Sequence, residues 1–280
     1  MLSAGVVLAV LGAAVLHAVW NTIAHQIADR VLGFALIGVV DLVAGVALLL
    51  VFGLPPAAAW PYAIASGVVH VFYNLLLLRS YQLGDFSQSY PLARGVAPGL
   101  VAAFSVLVLG RTLDLTQAVG IGVICLGLVS LVFAGGRPHR SQAPALGAAV
   151  ATGVMIATYT IIDGLAVEST ELVPYIGAMF ALQGLVLPFL VVRRPRHELA
   201  LGLRRHGRAG LAGGVIGLAA YSIVLWAQTS GALAPIAALR ETSIVWGALI
   251  GAVLLHERLG WWRSAAAVVV LAGVALISLG

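Results

Sequence analysis

The chain has 280 residues, 61% of them hydrophobic and 9% charged, with a mean hydropathy of +1.08. A soluble domain carries roughly 25% charged residues, so composition excludes a water-soluble globule built around one buried core. All 15 basic residues are arginine and the formal charge is +5; the arginines cap apolar runs and form no basic-aromatic stripe, which excludes nucleic acid as the partner.

A membrane-spanning helix needs about 20 mostly apolar residues. Ten such stretches follow one another: 3–24, 32–53, 61–81, 85–109, 115–134, 143–163, 172–192, 209–228, 232–255 and 261–279. Breakers part them at Leu54-Pro55-Pro56, Gly84-Asp85, Gly110-Arg111-Thr112, the 135–144 stretch, the 193–208 stretch and Gly231. The early spans run on too long for a signal peptide, and no small-residue cleavage site follows a basic start.

The second half repeats the first. Moved along by 146 positions, Gln82–Leu131 falls without a gap on Gln228–Ile277, so that Gln82 meets Gln228, Arg94 meets Arg240 and Gly127 meets Gly273. Five spans per half is an odd number, so the halves must lie in opposite orientations. The predicted fold is all-α integral membrane: ten transmembrane helices as two inverted five-helix repeats, residues 1–134 and 143–280. Inverted repeats place a substrate site where the halves meet.

Polar residues inside the spans mark the candidate pathway. His17, Trp20 and Asn21 share one face of span 1, and His70, Tyr73 and Asn74 repeat the pattern in span 3. Span 4 carries a stripe of Ser87, Tyr90, Arg94 and Pro98; span 6 offers Thr152, Tyr159 and Asp163, and span 8 Tyr221 and Gln228, with Trp226 on another face. Span 9 holds Arg240, Glu241, Thr242 and Ser243 in succession, and Asp41 stands alone in span 2. Ionisable groups in a membrane cost a few kcal/mol or more and usually face a bundle interior or aqueous cavity. Arg94, Arg240, Glu241, Asp41 and Asp163 therefore lead the candidates, against the alternative that they pair only to fix helix register.

Histidines are either bonded structural groups or protonation switches. The aromatic residues either wall a cavity for a cation or aromatic ligand or pack between helices. Pro91 and Pro98 in span 4 and Pro235 at the start of span 9 interrupt backbone bonding in corresponding elements, which is tolerated only beside protein or a water-filled cavity. Gly120–Gly127 and Gly247–Gly251 line small-residue faces for close helix approach, and Trp261 and Trp262 read as interfacial anchors. The single Cys125 leaves no disulfide framework and no cysteine zinc site; no metal or cofactor is expected. Twelve arginines lie in the odd-numbered connections and one, Arg111, in the even-numbered ones. Short basic loops favour the cytoplasm, which puts both termini outside.

The whole chain resembles the drug/metabolite transporter superfamily, in its EamA-type ten-span branch. The resemblance rests on His17-Ala-Val-Trp-Asn21, Tyr90-Pro-Leu-Ala-Arg-Gly-Val-Ala-Pro98, Tyr159-Thr-Ile-Ile-Asp-Gly164, Leu239-Arg-Glu-Thr-Ser243 and Leu255-His-Glu-Arg-Leu259, in that order within a 5+5 duplication. It implies a secondary transporter in the cell membrane rather than an enzyme, typically an exporter of amino acids or other small metabolites, often coupled to protons. Departures are Arg111, where the first repeat of the family usually has an acidic residue that Glu257 keeps in the second, and the orientation, since family members commonly have cytoplasmic termini. The rival reading is an integral-membrane enzyme acting on lipid or a lipid-linked sugar, for which no HExxH or nucleophile–base spacing is present. Partners expected are a small-molecule solute, the bilayer and protons, through Glu241 or a histidine; monomer and homodimer are both open.

Overall fold

The computed structural model describes residues 2–83, 86–133, 139–254 and 260–279, and every regular element in them is helical. Gly84-Asp85, Arg137 and the segment with Glu257 and Arg258 lie outside the described residues, as do the side chains of Ser87 and Arg263. The helices are α1 (Ala4–Gln26), α2 (Arg30–Phe52), α3 (Trp60–Leu83), α4 (Phe86–Leu107), α5 (Leu115–Ser130), α6 (Ala143–Ser169), α7 (Leu172–Val186), α8 (Arg196–Gln228), α9 (Leu233–Arg240), α10 (Ser243–Leu254) and α11 (Trp261–Leu279). Eight of them, α1 to α8 with their short 3-10 extensions, are long and apolar enough to cross a membrane. Three starts are capped as the sequence dictates: Ser3, Asp29 and Asp114 each accept a backbone N–H of the first turn.

Three expectations are corrected. Beyond residue 195 the 193–208 stretch is helix, not loop: Pro195 caps α8, and the helix formers Glu198, Leu199, Ala200 and Leu201 carry it 33 residues without interruption. Pro235 does not interrupt the ninth span. It is the third residue of α9, where its missing N–H would have had no intrahelical partner. The break falls instead at Glu241-Thr242, between α9 and α10, whereas α4 is continuous despite Pro91 and Pro98.

Glycines set the closest contacts. A Cβ on Gly45 would stand 2.4 Å from the Ala181 amide nitrogen, and one on Gly184 would stand 2.4 Å from that of Leu42. Gly38 faces Leu187 and Gly184, whereas Gly45 faces Gly177, so α2 and α7 run antiparallel with bare backbones touching. The same holds for α5 and α11: Gly120 meets Gly273 and Ile277, while Gly127 meets Val269. Gly247, by contrast, looks into open space.

Helix pairing follows a swap rule. Let α6, α7, α8, α9–α10 and α11 stand for α1 to α5. Then α3 on α6 becomes α8 on α1, α4 on α6 becomes α9–α10 on α1, and α2 on α8 becomes α7 on α3; all six pairings occur. The polar side chains sit inside this paired arrangement.

Candidate functional site

A cavity of about 60 Å³ opens among α1, α2, α3, α6, α7 and α8. At 10–15 Å³ per water it has room for roughly four to six waters. His17 and Trp20 line it from α1, His70, Tyr73 and Asn74 from α3, Tyr159 from α6 and Tyr221 from α8. Asp41, Phe180 and Gln183 complete the polar and aromatic wall.

Helical register ties both histidines within their own helices. The Trp20 Nε1–H donates to His17 Nδ1 at 3.0 Å, so a neutral His17 carries its proton on Nε2, and that buried donor has no partner. His70 Nδ1 lies 3.0 Å from the Ser66 carbonyl oxygen and 3.1 Å from Ser66 Oγ, so it donates to the carbonyl when protonated and accepts from the hydroxyl when not. Asn21 and Asn74 donate back to the carbonyls of His17 and His70 one turn earlier, at 2.7 and 2.8 Å. The Tyr159 ring stacks on His70, centroids 4.0 Å apart, and the Tyr73 and Tyr221 rings meet it edge-on at 5.5 Å. Edge-to-face contact of this kind is worth about 0.5–1.5 kcal/mol per pair beyond burial.

A layer of charge adjoins these rings. Arg94 Nε on α4 stands 2.6 Å from Glu241 Oε2, an ion contact without hydrogen-bond alignment, and Arg94 Nη2 donates to Ser243 Oγ at 3.0 Å. Arg240 reaches Glu241 Oε1 and Thr160 Oγ1, both at 3.4 Å, and its guanidinium carbon lies 5.9 Å from the Tyr159 ring centroid. Arg94 has the same relation to Tyr90. Side chains along an unbroken helix fan out at 3.6 residues per turn, yet Arg240, Glu241, Thr242 and Ser243 are all at most 1% exposed. All eight residues of α9 are buried as well, so this segment is enclosed on every side and the break falls inside it. Asp163 on α6, fully buried, accepts from the hydroxyls of Tyr175 (2.6 Å) and Tyr221, one on each oxygen.

Each end of the bundle is closed by an arginine. Between α4 and α5, Arg111 donates to both oxygens of Glu168 at the end of α6, at 2.8 and 2.6 Å, and to the Gly231 carbonyl in the turn between α8 and α9. Gly231 has φ +79, a left-handed turn suited to glycine, which presents that carbonyl. At the other end, Arg194 before α8 pairs with Asp29, the cap of α2, and Arg30 donates to the Tyr81 carbonyl of α3. The Arg194 hydrogen bond holds the Asp29 carboxyl below its ordinary range, with desolvation opposing it, and Asp29 raises Arg194 in turn.

Eight expected residues, Asp41 among them, thus line one cavity, and Tyr90, Arg94, Arg240 and Glu241 form the adjoining ion cluster. Asp163 joins Tyr221 of the cavity wall to Tyr175 on α7. Asn21 bonds within its own helix, and Gln228, fully buried, has an amide without partner away from this cavity. Phe180, Gln183 and Tyr175 on α7 were not anticipated; an amide buried between two polar spans is the signal that could have found Gln183. Among the described residues, no three His, Cys, Asp or Glu side chains gather as a metal ion would require.

Comparison with known proteins gives three findings. A family model described as the EamA-like transporter family matches residues 4–133 and again 143–279. An uncharacterized protein of Methanocaldococcus jannaschii is 39% identical over 70 residues, 25% of this chain and 50% of that protein, so the chain spans about half the length of this curated relative. A crystal structure of a protein superposes with a TM-score of 0.76 at 18% identity, covering 98% of this chain and 95% of the other, a likeness of fold.

Proposed function

Because the chain belongs to the EamA-like transporter family, a family of multi-pass membrane transporters of the drug/metabolite type, we propose that it is a secondary carrier. It exports a small metabolite, such as an amino acid or related compound, across the cell membrane by alternating access. The observation that carries this reading is the buried polar cavity between the two matched segments, closed at both ends by ion pairs. Ten spans are counted by taking α9 with α10 as the ninth and α11 as the tenth. The antiparallel crossings of α2 with α7 and of α5 with α11 support an inverted repeat, since each pair joins equivalent helices.

Rocking of the halves would break one clamp at a time. Opening Arg111 from Glu168 exposes the cavity on the side that carries both termini; opening Arg194 from Asp29 exposes it on the arginine-rich side, which the positive-inside rule makes cytoplasmic. Trp20, Tyr73, Tyr159 and Tyr221 would hold the apolar part of the solute. The ion cluster in the α9–α10 break would meet its charged groups, as discontinuous helices do in other carriers. At about 60 Å³ the cavity is narrower than a typical site of roughly 300–1,000 Å³, so it must widen to admit such a solute.

The test is flux of a panel of radiolabelled amino acids and related metabolites into proteoliposomes, with and without a pH gradient. Facilitated, saturable flux supports the reading. Flux no faster than in empty vesicles across the panel refutes it.

A further inference from the structure

One carboxyl facing the cavity is left out of the charge balance. Glu241 faces both Arg94 and Arg240 in the adjoining layer, and Asp163 accepts from two tyrosine hydroxyls. Asp41 on α2, 4% exposed, receives a single hydrogen bond, from Gln183 Nε2 on α7 at 3.0 Å. Among the described residues no arginine stands within ion-pair distance of it. Gln183 Oε1 is buried and has no partner, so the pair offers an anionic oxygen and a free amide oxygen side by side. Trp20, Tyr73, Tyr159 and Phe180 complete the wall.

An isolated carboxylate cannot stay buried and uncompensated; it must take a proton or a cation. Two acceptor oxygens in a cavity lined by aromatic residues suit an ammonium group, which binds carboxylates by charge-assisted hydrogen bonds and aromatic rings by cation–π attraction. We propose that Asp41 and Gln183 form the subsite for an ammonium group of the transported solute, and that the Asp41 carboxyl holds a proton when no solute is there. The exchange balances: the ammonium enters, the carboxyl loses one proton to solution, and the charge of the subsite is unchanged. The proposal rests on the carrier reading and assigns its coupling group.

The groups facing Asp41 from the helices packed on α2 agree with this role. They are His17 from α1, His70 and Tyr73 from α3, Gln183 from α7 and Tyr221 from α8, with Tyr159 across the cavity. Both histidines are tied through Nδ1 within their own helices, to Trp20 and Ser66. The unpartnered His17 Nε2–H adds a donor for an acceptor atom elsewhere on the same solute.

The test uses the purified full-length protein in weakly buffered detergent, with 2-phenylethylammonium as probe and neutral 2-phenylethanol as control. Wild type is expected to bind the amine and release about one proton per probe bound, and to bind the alcohol at least tenfold more weakly. Asp41→Asn removes the proton release and weakens the amine about tenfold or more, whereas Asp41→Glu keeps both. Should Asp41→Asn not fold, Gln183→Met serves in its place and weakens the amine several-fold while proton release persists. Failure of the wild type to bind, binding without proton release, equal affinity for the alcohol, or an Asp41→Asn (or substitute Gln183→Met) protein that behaves as wild type each overturns the subsite. Wild-type flux that is unchanged in amount and pH dependence in Asp41→Asn vesicles overturns the subsite and leaves the carrier standing; absent wild-type flux strikes the carrier alone.

Discussion

Arg94 and Glu241 meet at 2.6 Å although 147 residues of sequence separate them, and both are at most 3% exposed. The contact joins the two matched halves through the middle of the molecule. Glu241 also faces Arg240, so one carboxylate serves two guanidinium groups.

Removing that carboxylate should be the most damaging single change in the centre. Breaking a buried pair by deleting one partner costs about 3–5 kcal/mol, because the other charge is left buried and alone. Glu241→Gln is expected to lose stability on that scale in chemical unfolding, and its flux with it. Arg94→Gln combined with Glu241→Gln should regain part of the loss. If the double variant is as unstable as the sum of the singles, the two residues are not coupled.

The α2–α7 contact predicts an asymmetry among glycines. Gly45→Ala drives a methyl to 2.4 Å from a backbone nitrogen, which no side-chain rotation relieves. Overpacking of this kind costs typically about 1–3 kcal/mol or more. Gly12→Ala and Gly122→Ala, with nothing within 4 Å, should be neutral or slightly stabilising within a helix. Thermal unfolding of the three variants in detergent decides it; equal stability would show that α2 and α7 do not touch as described.

The terminal clamps should act in opposite senses. Arg111→Ala frees Glu168 and the Gly231 carbonyl on one side, and Arg194→Ala frees Asp29 on the other. Partly exposed ion pairs are worth about 0–1 kcal/mol, enough to shift a balanced two-state population about fivefold. Reaction of single cysteines placed in the cavity with impermeant thiol reagents, in a Cys125→Ser background, should rise from opposite faces of the membrane in the two variants. Rises from the same face would sink the gating scheme.

Acid should release the clamp between Asp29 and Arg194. The Asp29 carboxyl is depressed by Arg194, so its stabilising contribution is complete above the unfolded value of about 3.9 and is lost as pH falls through the lower folded value. The Arg194 side should therefore stay closed at neutral pH and open only below about pH 4. Distance measurements between spin labels flanking Asp29 and Arg194 across that range would reveal it; opening near neutrality would contradict the assignment.

Much of this was legible in the residues. Apolar stretches give the helices, and the shared register of Arg94 with Arg240 exposes the repeat. The 3–4 residue spacing of His17, Trp20, His70 and Tyr73 foretells one cavity wall, because helical periodicity is local. Asp41 was harder to place, since its surroundings come from Gln183 and Phe180, on a helix whose polar content is slight. The glycine pairs were also hidden: Gly38 and Gly45 match Gly177 and Gly184 in spacing, but the intervening residues have diverged and their register differs from that of the later spans. Arg111 looked like a lapse in the repeat pattern. Only the fold shows it answering Glu168.

The break between α9 and α10 has no counterpart in α4, yet α4 is primed for one. Arg94 corresponds to Arg240, and Pro98, having no N–H, leaves the Arg94 carbonyl without its helical partner. A carrier whose halves trade conformations would snap α4 at that point while α9 and α10 anneal into a single rod. Because a proline marks only one of the two positions, the two arrangements would differ in energy, and such a carrier would have a preferred resting side. Pro98→Ala should deepen that bias, seen as slower turnover with unaltered solute affinity.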